Sequence, residues 1–89
     1  MTSDDGSSAR TTTTCEVTTI ARGVPVEIVD VRAEDTVRRR LAQLGLRVGA
    51  ELTVVRATAG GGRILAVAGA RIALDRDTAQ GLRVRERTT

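Results

Sequence analysis

Leu41-Ala42-Gln43-Leu44-Gly45-Leu46-Arg47-Val48-Gly49-Ala50-Glu51-Leu52-Thr53-Val54-Val55 reads as the end of a helix, a glycine stop, a second glycine turn and the start of a strand. Gly45 stands where the C′ residue of a helix takes a left-handed conformation. Leu46 is then C″ and Leu41 is C3, the apolar pair that accompanies a Schellman stop. Four residues on, Gly49 fits position i+2 of a type II turn with Val48 at i+1, because i+2 needs a positive φ. Leu52 and Val54 alternate with Glu51 and Thr53, so a strand follows and runs to about Ala57.

Upstream, Val37, Leu41 and Leu44 fall at i, i+4 and i+7 and form one apolar stripe. The helix begins at Glu34 or Asp35, with Asp35 read as the N-cap and paired with Arg39 at i,i+4. Before it, Val26-Glu27-Ile28-Val29-Asp30-Val31 alternates as a first strand, with Val26, Ile28 and Asp30 on one face and Val29 and Val31 on the other. Val17, Ile20 and Val24 lead into it, and Gly23 and Pro25 mark a turn. Residues 1–15 are polar and low in complexity, which predicts a disordered tail ahead of a folded domain at 16–87.

Downstream, Gly60-Gly61-Gly62 lacks the Gly-Lys-Ser/Thr and the following helix of a phosphate loop, so it reads as a hairpin loop. Ile64–Ala68 is a third strand, Gly69-Ala70 a tight turn and Arg71–Leu74 a fourth strand. Asp75 caps a short helical turn over Asp75–Ala79, closed by Gly81, and Leu82–Arg85 alternates as the last strand. About five short strands around one helix, inserted after the first strand, make a mainly β, partly open small barrel.

The composition narrows the function. The chain has 89 residues, one domain's worth, and no Phe, Tyr or Trp, so the core is aliphatic and no base-stacking platform exists. Fourteen arginines face 11 carboxylates for a net charge of +3, a modest footprint for nucleic acid. There is no His, and Cys15 is the lone cysteine, so neither a metal site nor a nucleophile–base pair is visible. A single cysteine also forms no internal disulfide. No apolar run approaches the ~20 residues of a membrane span, and no signal-peptide pattern opens the chain, which makes cytoplasmic the expected location.

With those residues in place, the chain resembles the FeoA family of bacterial ferrous iron uptake. The motif Leu41-x-x-Leu44-Gly45-Leu46-x-x-Gly49-x-x-Leu52-x-Val54 carries the resemblance, together with Gly69-x-x-Ile72-Ala73-Leu74, Ala79 and Leu82-x-Val84. The family often has Pro before the second glycine; here that position is Val48. The resemblance implies an SH3-like barrel and a non-catalytic accessory role. It further implies docking on the cytosolic GTP-binding part of an FeoB-type membrane transporter. No cofactor, metal, nucleic acid or membrane insertion is expected, and weak self-association is left open. The partner-binding candidates are Arg38, Arg39, Arg40, Gln43, Leu46 and Arg47. The plainer reading of the arginines, that they solvate the helix, stands beside this one. The alternative for the whole chain is a nucleic-acid-binding or regulatory small-barrel module unrelated to iron uptake.

Overall fold

Fifteen aliphatic side chains, drawn from every main element, form one buried cluster that holds no polar or charged residue. The structure, a computed structural model, describes residues 14–87. The polar tail expected at the N-terminus falls mostly on residues 1–13, outside the described part.

In chain order come β1 (Cys15–Glu16), a 3₁₀ turn (Val17–Thr19), β2 (Val26–Val31), α1 (Asp35–Gln43), β3 (Glu51–Ala57), a second 3₁₀ turn (Ala59–Gly61), β4 (Arg63–Val67), β5 (Ala70–Leu74), α2 (Arg76–Gln80) and β6 (Leu82–Glu86). The strands form one antiparallel sheet of order β1-β6-β2-β3-β4-β5. The mainly β, SH3-like barrel with its main helix after the first strands is therefore present. It has six strands, because the two-residue β1 pairs Cys15 with Val84 and Glu16 with Arg83 and is too short to leave an alternation in the sequence.

Two bulges curve the sheet. Ile28 pairs with Val84 while Asp30 pairs with Arg83, so Val29 is the extra residue in β2. Val55 is extra in β3 in the same way. A bulge sets two residues against one and resets the alternation beyond it. This corrects the faces expected for β2: Val31 joins Val26 and Ile28 in the core, and Asp30 is exposed.

The helix stop forms as read. Gly45 has φ +97° and its N–H donates to the Ala42 carbonyl at 3.0 Å. The Leu46 N–H donates to Leu41 at 2.9 Å, which is the Schellman pair of bonds. The type II turn also forms, with Gly49 at φ +94° and the Ala50 N–H donating to Arg47 at 3.0 Å. Two further bonds pin this turn to β2: Gly49 N–H to the Ile28 carbonyl at 2.8 Å, and Ile28 N–H to the Ala50 carbonyl at 2.9 Å.

Three local expectations change. Glu34 is the N-cap of α1 and makes no side-chain cap bond; Asp35 is the first helical residue and pairs with Arg38. Its charge still sits in the first turn, where the helix dipole favours it. Leu44 is 48% exposed, because the Schellman reversal brings Leu46 back over Leu41 and fills the place the stripe gave to Leu44. The β4–β5 turn is Ala68-Gly69, at φ 52° and 82°, with Val67 and Ala70 paired across it. Two positive φ values define a type I′ turn, the hairpin turn that matches strand twist. As expected, Asp75 caps α2, its carboxylate accepting from the Thr78 N–H at 2.9 Å. Gly81 follows α2 at an ordinary φ; what excludes a side chain there is the Arg32 carbonyl, 2.2 Å from where a Cβ would lie.

Candidate functional site

The end of β2, one face of α1 and the glycine turn enclose a groove of about 270 Å³ lined by Asp30, Val31, Arg38, Ala42, Leu46, Arg47 and Val48. Each wall has a local cause. The β2 bulge turns Val31 inward and leaves Asp30 at the rim. Ala42 lies four residues after Arg38, one helical turn along the same side of α1. Leu46, fully buried, is delivered by the Schellman stop. Val48 stands at i+1 of a turn tied to β2 and is 64% exposed.

Val48 and Leu44 are the exposed large hydrophobic residues among those described, and both flank the two glycines. The groove thus has an apolar floor and an apolar lip on an otherwise polar surface.

The charges around it are unevenly committed. Asp30 accepts from the Arg32 Nε at 3.3 Å, and Arg38 pairs with Asp35. Arg39, Arg40 and Arg47 are exposed and take part in no ion pair among the described residues. The stretch from Asp35 to Val48 carries four arginines and one carboxylate, a net +3 that equals the net charge of the whole chain. The rest of the sequence is electrically balanced. Four arginines there are occupied: Arg32 pairs with Asp30, Arg85 and Arg87 pair with Glu27, Arg87 also with Glu51, and Arg63 donates to the Thr18, Gly61 and Gly62 carbonyls at 2.8–2.9 Å. Arg22, Arg56, Arg71, Arg76 and Arg83 make no ion pair among the described residues.

Of the residues singled out from sequence, Arg38, Leu46 and Arg47 meet in the groove, while Arg39, Arg40 and Gln43 lie exposed outside its lining. Leu46 is corrected as a partner contact in the sense of a surface residue, since it is wholly buried and supplies only the floor. Sequence reasoning missed Asp30, Val31, Ala42 and Val48. Only Val48 left a signal, as the outward corner of the predicted turn.

Among the described residues, no group of three or more His, Cys, Asp and Glu side chains could hold a metal ion. Cys15 is free and half-buried. The shifted carboxyl is Asp75, at the far end of β5: hydrogen bonds to Thr78, first with its side chain and then with its backbone, hold it below the usual carboxylate range. No helix among the described residues is long and apolar enough to cross a membrane.

The fold is thus a small SH3-like barrel that sets a basic strip beside a groove. The sequence profile of the FeoA domain matches residues 15–86, and the chain belongs to that family. The solution structure of FeoA from Chlorobium tepidum is 32% identical, with a TM-score of 0.76, over 82% of this chain and 70% of that one. A crystal structure of an iron uptake regulatory protein, FeoA, shares the fold at 24% identity and a TM-score of 0.76, covering 84% of this chain and all of the other. IdeR of T. acidophilum contains the same fold at 19% identity and a TM-score of 0.73; the match covers 85% of this chain and 35% of IdeR. A search of curated proteins returns no match.

Proposed function

We propose that this chain is a non-catalytic, cytosolic accessory protein of a bacterial ferrous iron uptake system, and that it docks on the cytosolic GTP-binding part of an FeoB-type membrane transporter. Membership of the FeoA family supplies the context. The observation that carries the docking reading is the concentration of the chain's entire net charge on Asp35 to Val48, beside an apolar groove. Elsewhere the charges balance and the unpaired arginines are spread along the sequence, whereas Arg39, Arg40 and Arg47 fall within nine residues with no carboxylate between them. Uncommitted cations around an apolar lip are what complementary partner surfaces meet. Arg39 and Arg40 steer the encounter, Arg38 and Arg47 border the contact, and Gln43 extends it along α1. Cofactors, bound metal and catalysis have no part in this reading.

The test is co-purification of the FeoB cytosolic part with the wild-type protein and with Arg39→Glu plus Arg40→Glu. Retention by the wild type and loss with the double variant supports docking through this strip. Equal retention by both removes the strip from the interface.

A further inference from the structure

The groove has more chemistry than a basic surface requires. Its volume of about 270 Å³, at the small end of the roughly 300–1,000 Å³ of small-molecule sites, has room for one protein side chain. Its walls, Val31, Ala42, Leu46 and Val48, are aliphatic. They are also fixed in advance. Leu46 is held by the Schellman bonds, and Val48 by a turn bonded to Ile28 on both sides. A site that needs no ordering on binding keeps more of its contact energy as affinity.

The charges at the rim are sorted. Arg32 engages Asp30 and Asp35 engages Arg38, which leaves Arg47 as the lining cation without a carboxylate among the described residues. Beyond the rim, Arg39 and Arg40 are equally uncommitted. We infer that this groove is an anchor pocket for one apolar side chain of an acidic peptide segment on the partner protein, with Arg47 holding a carboxylate that flanks the anchor. The inference rests on the docking reading above and names the chemistry that the docked segment must have. A single buried anchor surrounded by weaker polar contacts is the usual economy of such interfaces. A lipid surface is a poorer fit, because it has no protruding side chain to fill a concavity of this size.

The test uses the full chain, labelled with ¹⁵N, and a capped synthetic peptide in which a leucine pair is flanked on both sides by glutamates. A control peptide has lysine in place of glutamate. The expected result is a shift of the Ala42, Leu46 and Val48 amides with the glutamate peptide alone. Arg47→Glu then weakens binding by about fivefold or more, the upper range for one exposed ion pair. Ala42→Leu, which fills the groove from α1, removes the shift while the remaining spectrum stays that of the folded protein.

Equal shifts with the lysine peptide overturn the inference. So do shifts confined to Arg39 and Arg40 that anionic vesicles reproduce. The FeoB cytosolic part is titrated against the same variants. If it binds Ala42→Leu as well as wild type, the groove is excluded and docking stands. If it binds no form while the glutamate peptide still seats in the groove, the pocket stands and the transporter is the wrong partner.

Discussion

Two glycine-rich turns of this barrel each carry an arginine, and they use it in opposite ways. At Gly60–Gly62 the loop has backbone bonds of its own, Thr58 N–H to the Gly62 carbonyl and Gly61 N–H to the Thr58 carbonyl, and it also draws in the neighbouring side chain. Arg63 donates to the Gly61 and Gly62 carbonyls and to that of Thr18, distant in sequence. At Gly45–Gly49 the backbone closes on itself through Leu41, Ala42, Arg47 and Ile28, and the Arg47 side chain has no partner among the described residues. An arginine beside a glycine turn is thus either drawn onto nearby carbonyls, as Arg63 is, or left without a partner among the described residues, as Arg47 is. The triple glycine, read from sequence as a hairpin loop, joins two paired strands. The plainer helix stop is the one that borders the groove.

This contrast can be broken experimentally, starting at the structural loop. Gly62→Ala puts a Cβ 2.4 Å from the Leu74 carbonyl oxygen and 2.7 Å from the Thr58 Oγ1. Backbone has to move, and we expect a loss of about 3 kcal/mol in chemical denaturation, at the upper end for overpacking. A loss within ~0.5 kcal/mol, the ordinary surface range, would mean the loop is as loose as its composition suggests.

Next in size is the arginine pair itself. Arg63→Met should cost about 1.5–2 kcal/mol, because three carbonyls lose a charged donor in a half-buried setting. Arg47→Met should stay within about 0.5 kcal/mol, as for an ordinary surface change. Similar losses at both sites would erase the distinction drawn between the turns.

Val48→Pro sharpens the other side. Val48 is at i+1 of the type II turn and its N–H makes no backbone hydrogen bond, so proline should stabilise the protein by about 0.4–1 kcal/mol through the unfolded chain. A thermal melt that falls instead would place Val48 outside that turn position.

The smallest effect lies at Asp75, next to the glycine loop. Its folded carboxyl is held below its unfolded value by Thr78, so its contribution is complete above the unfolded value and disappears as pH falls through the folded one. The acid limb of the stability curve should therefore be shallower in Asp75→Asn than in wild type. An unchanged limb would show that the cap bond to Thr78 contributes nothing to acid stability.

The fold was legible in the sequence wherever one residue has one conformational use. Gly45 and Gly49 need positive φ, and Leu41 and Leu46 fall at the two positions that a Schellman stop brings together. Those four residues locate the helix end, the turn and the start of β3. Residues placed by neighbours distant in sequence were not legible. The β2 bulge depends on β6 for its register and reversed the expected faces of Asp30 and Val31. Leu44 satisfied the helical stripe and lost its place to Leu46. β1 exists only because β6 offers it an edge. The site follows the same rule. Its arginines stood out as a cluster, and their net +3 could have been counted from the sequence. The groove between them was invisible, because Val31, Ala42 and Val48 meet only when three elements are assembled.

The proposed docking depends on the surplus charge from Asp35 to Val48. Calorimetric titration of the FeoB cytosolic part with this protein, at low and at physiological salt, tests it most directly. The account predicts binding that weakens with salt and is lost in Arg39→Glu plus Arg40→Glu, while Arg56→Glu, an arginine outside the strip, binds as wild type does. Affinity that ignores salt and survives the double reversal would contradict it.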